Sequence, residues 1–357
     1  MKKMNLAVVF GGMSEEHEVS LMTATSVLGA ADKDKYELYP IGITKNGRWM
    51  YFDGDFEAIE NGTWEETAKS MEINMRDKNL LSMKMPGKIN GAEMDMVFPV
   101  IHGPMGEDGT IQGLLELSGV PYVGCGVFAS AACMDKVFAK QLFEFNGLPI
   151  VPYVVLYRDE LSGEKECIDK IEAASLGYPL FVKPANLGSS VGITKVHNRS
   201  ELIKGLVEAA KYDRKILVEK GIDAREIECA VLGNYNPDPS VLGEIIPSHE
   251  FYDYKAKYSE EAKSGLVIPA NLPMEESDKI RKMAVDAFKA LGCTGLARVD
   301  FLYDKSTGQA YLNEINTMPG FTKYSMYPML WQKTDLPYKN LIDRLVSLAL
   351  ELSPKKD

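Results

Sequence analysis

An α/β fold that passes to α+β in its C-terminal part is predicted by three observations. A buried strand, a glycine turn, a helical pattern and a second strand follow one another between Asn5 and Ile43. Strands and helices continue to alternate through the middle of the chain. Near the C-terminus two strands of alternating polarity meet in a hairpin between two long helical patterns. With 357 residues, 45% of them hydrophobic, the chain can bury sizeable cores and divide into two or three domains.

Taken in order, Asn5 to Phe10 reads as a buried strand, Gly11 to Glu18 as a turn, Val19 to Leu28 as a helix and Leu38 to Ile43 as a strand. Residues 52 to 92, rich in Glu, Lys, Asn and Met with weak periodicity, read as a peripheral excursion. Strands return at Met94 to Pro99, which leads to His102-Gly103, and at Val120 to Val123, so a first domain is expected over 1–124. A helix from Met134 to Phe145 carries Lys136, and strands at Val151 to Leu156, Leu180 to Lys183 and Ile216 to Glu219 make a central domain over 125–219. The third, 220–357, contains helices at Glu275 to Leu291 and Leu341 to Leu352, the latter apolar at 341, 342, 345, 346, 349 and 352. No internal repeat or low-complexity tract appears.

The 40 basic and 51 acidic residues leave a net charge of −11 with no basic run, which speaks against nucleic acid as a partner. Only about five apolar residues precede Gly11-Gly12, too few for a signal sequence, and no apolar run reaches spanning length. The expectation is a soluble, cytoplasmic protein without a membrane partner. Five cysteines without Cys-x-x-Cys spacing fit reduced core thiols better than disulfides or zinc.

The most informative stretch runs from Arg298-Val-Asp-Phe-Leu-Tyr through a short polar turn to Ala310-Tyr-Leu-Asn-Glu-Ile-Asn-Thr-Met-Pro-Gly320. In a tight hairpin Asp300, Glu314 and Asn316 project to one side, an oxygen-only set that suits a hard cation such as Mg2+ and leaves positions for phosphate oxygens. Arg298 shares that face and can steady a developing anion. A merely solvated hairpin face is the competing reading, and the tight loop that follows at once weighs against it.

A second group surrounds Lys183-Pro-Ala-Asn-Leu-Gly-Ser-Ser-Val-Gly192, a loop that can fold over phosphates as a lid, or can be an ordinary hairpin loop. Its strength comes from company: Lys136, Lys183 and Lys220 each sit on a regular element, and converging ammonium groups neutralise a triphosphate. Val218 to Ile222 is a strand leaving its sheet, suited to an adenine edge, with Glu226 within reach of a ribose. In Gly11 to Ser20 one acid can hold a substrate ammonium, or all can complement the helix dipole. His102, at a strand end, poses the same open question between substrate contact and structure. Phe251 to Tyr258 alternates aromatic and charged residues and reads as a surface loop with something to cover. Gly124-Cys-Gly-Val-Phe-Ala129 matches G-x-G-x-x-A, yet it follows the last strand of its domain and Glu144 falls in a helix, so it reads as a decoy. No P-loop occurs.

These strings together resemble the D-alanine:D-alanine ligases of the ATP-grasp superfamily over nearly the whole chain. The blocks at 11–20, 102–110, 134–136, 188–192, the Tyr258 loop, Arg298-x-Asp300 and Glu314-x-Asn316-x-x-Pro-Gly occur in family order. The resemblance implies a three-domain ATP-grasp fold with an N-terminal open parallel-sheet domain. The implied activity is ATP-dependent ligation of two D-alanines through an acyl phosphate, for peptidoglycan precursor synthesis. It implies that Glu16 binds the first D-alanine ammonium, in a triad with Ser189 and Tyr258, and that Ser325 meets the second carboxylate. His102 and Met326 stand beside the substrates. Lys136, Lys183, Ser190, Glu219, Lys220, Ile222, Glu226 and Lys257 become ATP contacts, and Asp300, Glu314 and Asn316 ligands of two Mg2+ ions, for which Mn2+ can substitute. Arg298 and the Gly320 N–H would stabilise the oxyanion. A homodimer is expected.

Gly221 departs from the bulky residue many relatives have there. Relatives using D-lactate carry His where this chain has Tyr258, and those preferring D-serine often carry Arg where it has Met326, so both positions imply D-alanine as acceptor. The alternatives are the same fold with a D-serine or D-lactate acceptor, another ATP-grasp ligase, and a non-catalytic nucleotide-binding regulator, against which the Arg298, Asp300, Glu314 and Asn316 set argues.

Overall fold

The structure, a computed structural model, describes residues 2–71, 88–89, 91–188, 191–246 and 265–353. Strand β1 (Met4–Gly11) lies between parallel β2 (Tyr36–Ile43) and β6 (Met96–Pro99), with β3 (Trp49–Tyr51) antiparallel at the far edge of β2. A two-stranded ribbon, β4 (Lys88–Ile89) with β5 (Ala92–Glu93), precedes β6. Leu6 to Phe10 are all buried, as a parallel strand covered on both faces requires. Gly11 and Gly12 end β1 at φ of +86° and +103°, and a Cβ on Gly11 would stand 2.2 Å from the Ile43 carbonyl oxygen. Helix α1 (His17–Ala30) then begins. Its Ser20 Oγ accepts from Gly11 N at 2.8 Å and donates to the Val100 carbonyl at 2.5 Å, which fastens the ends of β1 and β6 together.

The segment expected as a peripheral excursion is part of the core as far as residue 71. Helices α2 (Glu57–Glu60) and α3 (Trp64–Ser70) bury Ile59, Trp64 and Ala68 with Phe52 against Phe10 and Met50. The Trp64 ring meets Phe10 edge-on at 5.1 Å and occupies the space a side chain at Gly42 would need, 2.1 Å from its Cβ position. Few apolar residues separated by many charges gave a weak period, although each apolar one is large and buried. Residues 72–87 and 90 lie outside the described residues. The strand expected at 120–123, after α4 (Thr110–Ser118), reduces to a bridge between Val97 and Tyr122.

The helix expected from 134 to 145 is α6 (Lys136–Phe145), and a further helix that was not expected, α5 (Val127–Met134), precedes it. Asp135 separates them, its Oδ1 accepting from Val137 N at 3.0 Å and Phe138 N at 3.1 Å as an N-cap. The central sheet is antiparallel in the order β7 (Tyr153–Tyr157), β10 (Lys215–Lys220), β8 (Leu180–Pro184), β9 (Thr194–Val196). Helices α7 (Glu164–Ala173) and α8 (Arg199–Tyr212) close its own core around Leu156, Val182, Leu206 and Val218.

A second antiparallel sheet runs β13 (Gly265–Val267), β12 (Asp238–Ile246), β11 (Ala224–Gly233), β14 (Gly295–Asp304), β15 (Ala310–Asn316). One face packs on α5, α6 and α9 (Met274–Ala290) through Ile227, Cys229, Val299, Phe301 and Ile315. The opposite face is apolar at one end, where Ala230, Leu232 and Leu296 join Phe321, Tyr327 and the helices α10 (Met326–Lys333) and α11 (Tyr338–Leu352). That cluster is continuous with the N-terminal core, and Phe98 stacks edge-on to Phe321 at 5.9 Å. Helix α10 was not legible in the sequence. At its other end this face turns polar.

Candidate active site

Period-two alternation builds the polar end. Across β14 and β15 Arg298 opposes Asn316 and Asp300 opposes Glu314, and from β11 Glu228 opposes Asp300 with Glu226 two residues away. The ladder shifts register directly after Asp300, so pairing is regular at the site and slips beyond it. The expected same-side grouping of Asp300, Glu314 and Asn316 is what the register gives. Glu228 was missed, although Glu226-Ile-Glu228 alternates as clearly as Arg298-Val-Asp300.

Arg298 forks onto Asp300, Nε to Oδ1 and Nη2 to Oδ2, both at 2.7 Å, and its Nε is 3.1 Å from Glu228 Oε2. Burial disfavours the guanidinium charge, but Asp300 and Glu228 outweigh it and hold the pKa well above the ordinary value. Glu314 Oε2 is 3.9 Å from Lys136 Nζ. Three carboxylates thus face two cations, and an oxygen-rich, net-negative set of this kind fits a hard divalent cation. Asn316 Oδ1 accepts from Met318 N at 3.2 Å and so starts the loop to Gly320. Among the described residues no three His, Cys, Asp or Glu side chains form a metal group alone, so Asn316 and ligand oxygens would have to complete it.

Lys136 Nζ also donates to the Leu187 carbonyl at 2.5 Å, so one ammonium in the first turn of α6 joins the Glu314 corner to the glycine-rich loop. Lys183 does not stand free toward that loop: it pairs with Glu219, which Lys140 also contacts at 2.5 Å. Burial pushes the Glu219 carboxyl up, but the two ammonium charges overcome this and hold it down at about 2. Glu219 was expected as a nucleotide contact; its carboxylate is occupied by two lysines, which leaves its backbone for that role. Lys220 is exposed, Ile222 and Glu226 half-buried at the end of the sheet. The departure at Gly221 has a local cause, since a Cβ there would lie 2.6 Å from the Pro179 carbonyl oxygen. Ser189, Ser190, Lys257 and Tyr258, with the loop from Phe251, lie outside the described residues.

Glu16 and His102 meet at the third corner. Glu16 Oε2 lies 2.5 Å from where a Cβ on Gly103 would stand and 3.4 Å from that of Gly188, so this acid from the turn before α1 touches the start of the glycine-rich loop. Ser14 Oγ donates to the His102 carbonyl at 2.7 Å. The buried His102 ring contacts Thr23 Oγ1 through Nε2 at 2.9 Å, and through Nδ1 it meets Glu107 Oε1 at 3.3 Å and the Met318 carbonyl at 3.0 Å. Both Nδ1 partners are acceptors, so that nitrogen carries a proton. Burial lowers the affinity of the imidazole for a second proton, but Glu107 and Glu16 raise it further and the net shift is upward. The open question about His102 thus gains a structural answer: it links two units.

Ser325 Oγ accepts from Thr322 N at 3.1 Å and stands 3.2 Å from the Cβ position of Gly320, so the residues expected at the acceptor carboxylate and at the oxyanion adjoin. Met326 does not present its side chain to this corner. It is buried in the core, its Sδ 2.5 Å from the Cβ position of Gly243, which corrects the expectation that it lines the acceptor subsite.

Among solved structures, the chain is similar to the VanG D-Ala:D-Ser ligase of Enterococcus faecalis, 39% identical with a TM-score of 0.85 over 98% of this chain and 100% of that one. It is also similar to the D-alanine-D-alanine ligase of Coxiella burnetii, 34% identical with a TM-score of 0.81 over 98% and 95%. Fold and site together define an ATP-grasp ligase. Family models described as D-ala D-ala ligase N-terminus and C-terminus match residues 5–125 and 142–347. A D-alanine--D-alanine ligase of Thermoanaerobacter sp. (strain X514) is 55% identical over 358 aligned residues, covering 100% of this chain and 99% of the relative. One of Acetivibrio thermocellus is 52% identical over 98% and 96%. The chain belongs to the D-alanine:D-alanine ligase family.

Proposed function

We propose that the protein joins two D-alanines into D-alanyl-D-alanine at the expense of ATP, through an acyl phosphate, to supply peptidoglycan synthesis. The observation that carries this reading is the polar sheet face, with Arg298 between Asp300 and Glu228, opposite Glu314 and Asn316 and next to Lys136. A carboxylate is a poor electrophile, so the first D-alanine carboxylate attacks the γ-phosphorus and ADP leaves. Glu16 holds that substrate's ammonium, Lys136 and Lys183 hold phosphate oxygens, and the backbone of Glu219 to Ile222 meets the adenine. Magnesium bound by Asp300, Glu314 and Asn316 would offset phosphate charge. The second D-alanine amine, deprotonated and oriented by Ser325 at its carboxylate, attacks the activated carbonyl. Arg298 and the Gly320 N–H stabilise the oxyanion before phosphate departs.

The division at 124 and 219 and a homodimer belong to this reading; limited proteolysis and sedimentation velocity test them. A cytoplasmic location is supported by five buried free cysteines and by the absence, among the described residues, of a helix long and apolar enough to cross a membrane. The decisive assay is ADP release with D-alanine, D-serine and D-lactate offered separately, with product identification. D-alanine is expected to serve as both donor and acceptor, and a preference for D-serine or D-lactate as acceptor at neutral pH would overturn that part. A folded Glu314→Gln protein is expected to lose turnover by orders of magnitude, and near-normal ADP release would remove Glu314 from the metal set.

A further inference from the structure

Lys140 is an ionisable residue in the interior, buried in the middle of α6. Its Nζ lies 2.5 Å from Glu219 Oε1, while Lys183 holds Oε2 in still closer contact. The three side chains come from α6, β10 and β8 and are 2%, 3% and 13% exposed. Among the described residues the Lys140 ammonium has no other acceptor. Lys183 is the more exposed of the two, and its strand runs directly into the glycine-rich loop.

We propose that Lys140 is a positioning residue for nucleotide binding: it keeps Glu219 neutralised so that Lys183 can leave that carboxylate for a nucleotide phosphate. The inference rests on Lys183 being a phosphate-binding lysine. The charges make the argument. With both lysines the triad has one positive charge in excess, so transfer of Lys183 to phosphate leaves a balanced Lys140–Glu219 pair behind. Without Lys140, Lys183 is the sole counterion of a buried carboxylate, and its departure strands that charge away from water. The ligand-free fold would tolerate the loss, since Glu219 and Lys183 still pair. What suffers is the phosphate-bound state. The depressed Glu219 carboxyl agrees with a doubly held anion.

The test uses the full chain, with ATP and adenosine binding measured by calorimetry and steady-state kinetics in ATP. Lys140→Met is expected to weaken ATP about tenfold or more, to leave adenosine within about threefold, and to raise KM for ATP more than it lowers kcat. Lys140→Arg, which keeps the ion pair, should hold ATP within about threefold of the parent. The double variant Lys140→Met/Glu219→Gln releases Lys183 from any buried partner and should recover most of the lost affinity. An unchanged ATP affinity in Lys140→Met, an equal loss of ATP and adenosine, or no recovery in the double variant overturns the proposal. If Lys140→Met fails to fold, the other two variants decide: ATP within about threefold in both supports it, and a loss of about tenfold in either overturns it. Failure of the parent to release ADP with D-alanine is a separate result that would sink the assigned activity.

Discussion

Gly103 has φ +73°, and a Cβ on it would fall 2.5 Å from Glu16 Oε2. Both facts require glycine, one for the backbone and one for the acid beside it. Gly103→Ala should therefore displace Glu16 and raise KM for the first D-alanine, with a stability loss of about 1–2 kcal/mol. An unchanged KM in a folded variant would separate Glu16 from that subsite. Met326→Arg carries a similar lesson in reverse. Placed in the core against Gly243, a guanidinium there should cost stability, about 2–4 kcal/mol by urea unfolding, before it alters any acceptor preference. At this scale Asp300, Glu314 and Arg298 were legible because a two-residue period needs only a few positions to declare itself. Lys140 and Glu219 were not legible as a pair, since one sits on a helix and the other on a strand 79 residues away, and nothing local records their meeting.

Among the elements, strands of the parallel sheet could be read from continuous apolar runs, and the C-terminal hairpin from alternation. Helices α2 and α3 could not, because burial there depends on one indole filling the space over Gly42. Trp64→Ala should thus cost about 3–5 kcal/mol, measured by denaturant unfolding. Helix α5 could not be read for another reason: Val127-Phe-Ala-Ser-Ala-Ala-Cys-Met134 is apolar almost throughout and so shows no polar face to mark a helical period. The central sheet has its own acid sensitivity. Glu219 titrates at about 2 in the folded chain against an ordinary 4.5, so its contribution is complete above about pH 4.5 and fades as pH falls toward 2. Glu219→Gln should flatten the slope of stability against pH in that window, and an unaltered slope would mean the carboxylate is not held as the geometry indicates.

For the molecule as a whole, His102 binds α1 and the loop before α4 to the carbonyl of Met318, two residues short of Gly320. Its folded pKa is raised, so the stabilisation it gives is present below the ordinary 6.5 and is lost as pH rises through the raised value. Glu107, also shifted upward by burial and by Glu16, acts in the same sense. The stability advantage of the parent over His102→Gln should shrink as pH rises above the ordinary 6.5, and a constant difference would contradict the linkage. The order of motifs made the family resemblance legible, whereas this junction, between residues 216 apart, was not. The shared cluster running from Leu6 and Phe98 to Phe321 and Tyr327 makes the two ends of the chain one thermodynamic body, while the middle keeps a separate core. On heating, then, the body formed by the two ends of the chain and the central sheet with its own core should melt in separate steps, two transitions in a calorimetric scan, and the division runs through the polar cluster itself, with Lys183 and Glu219 on one side and Asp300 and Glu314 on the other.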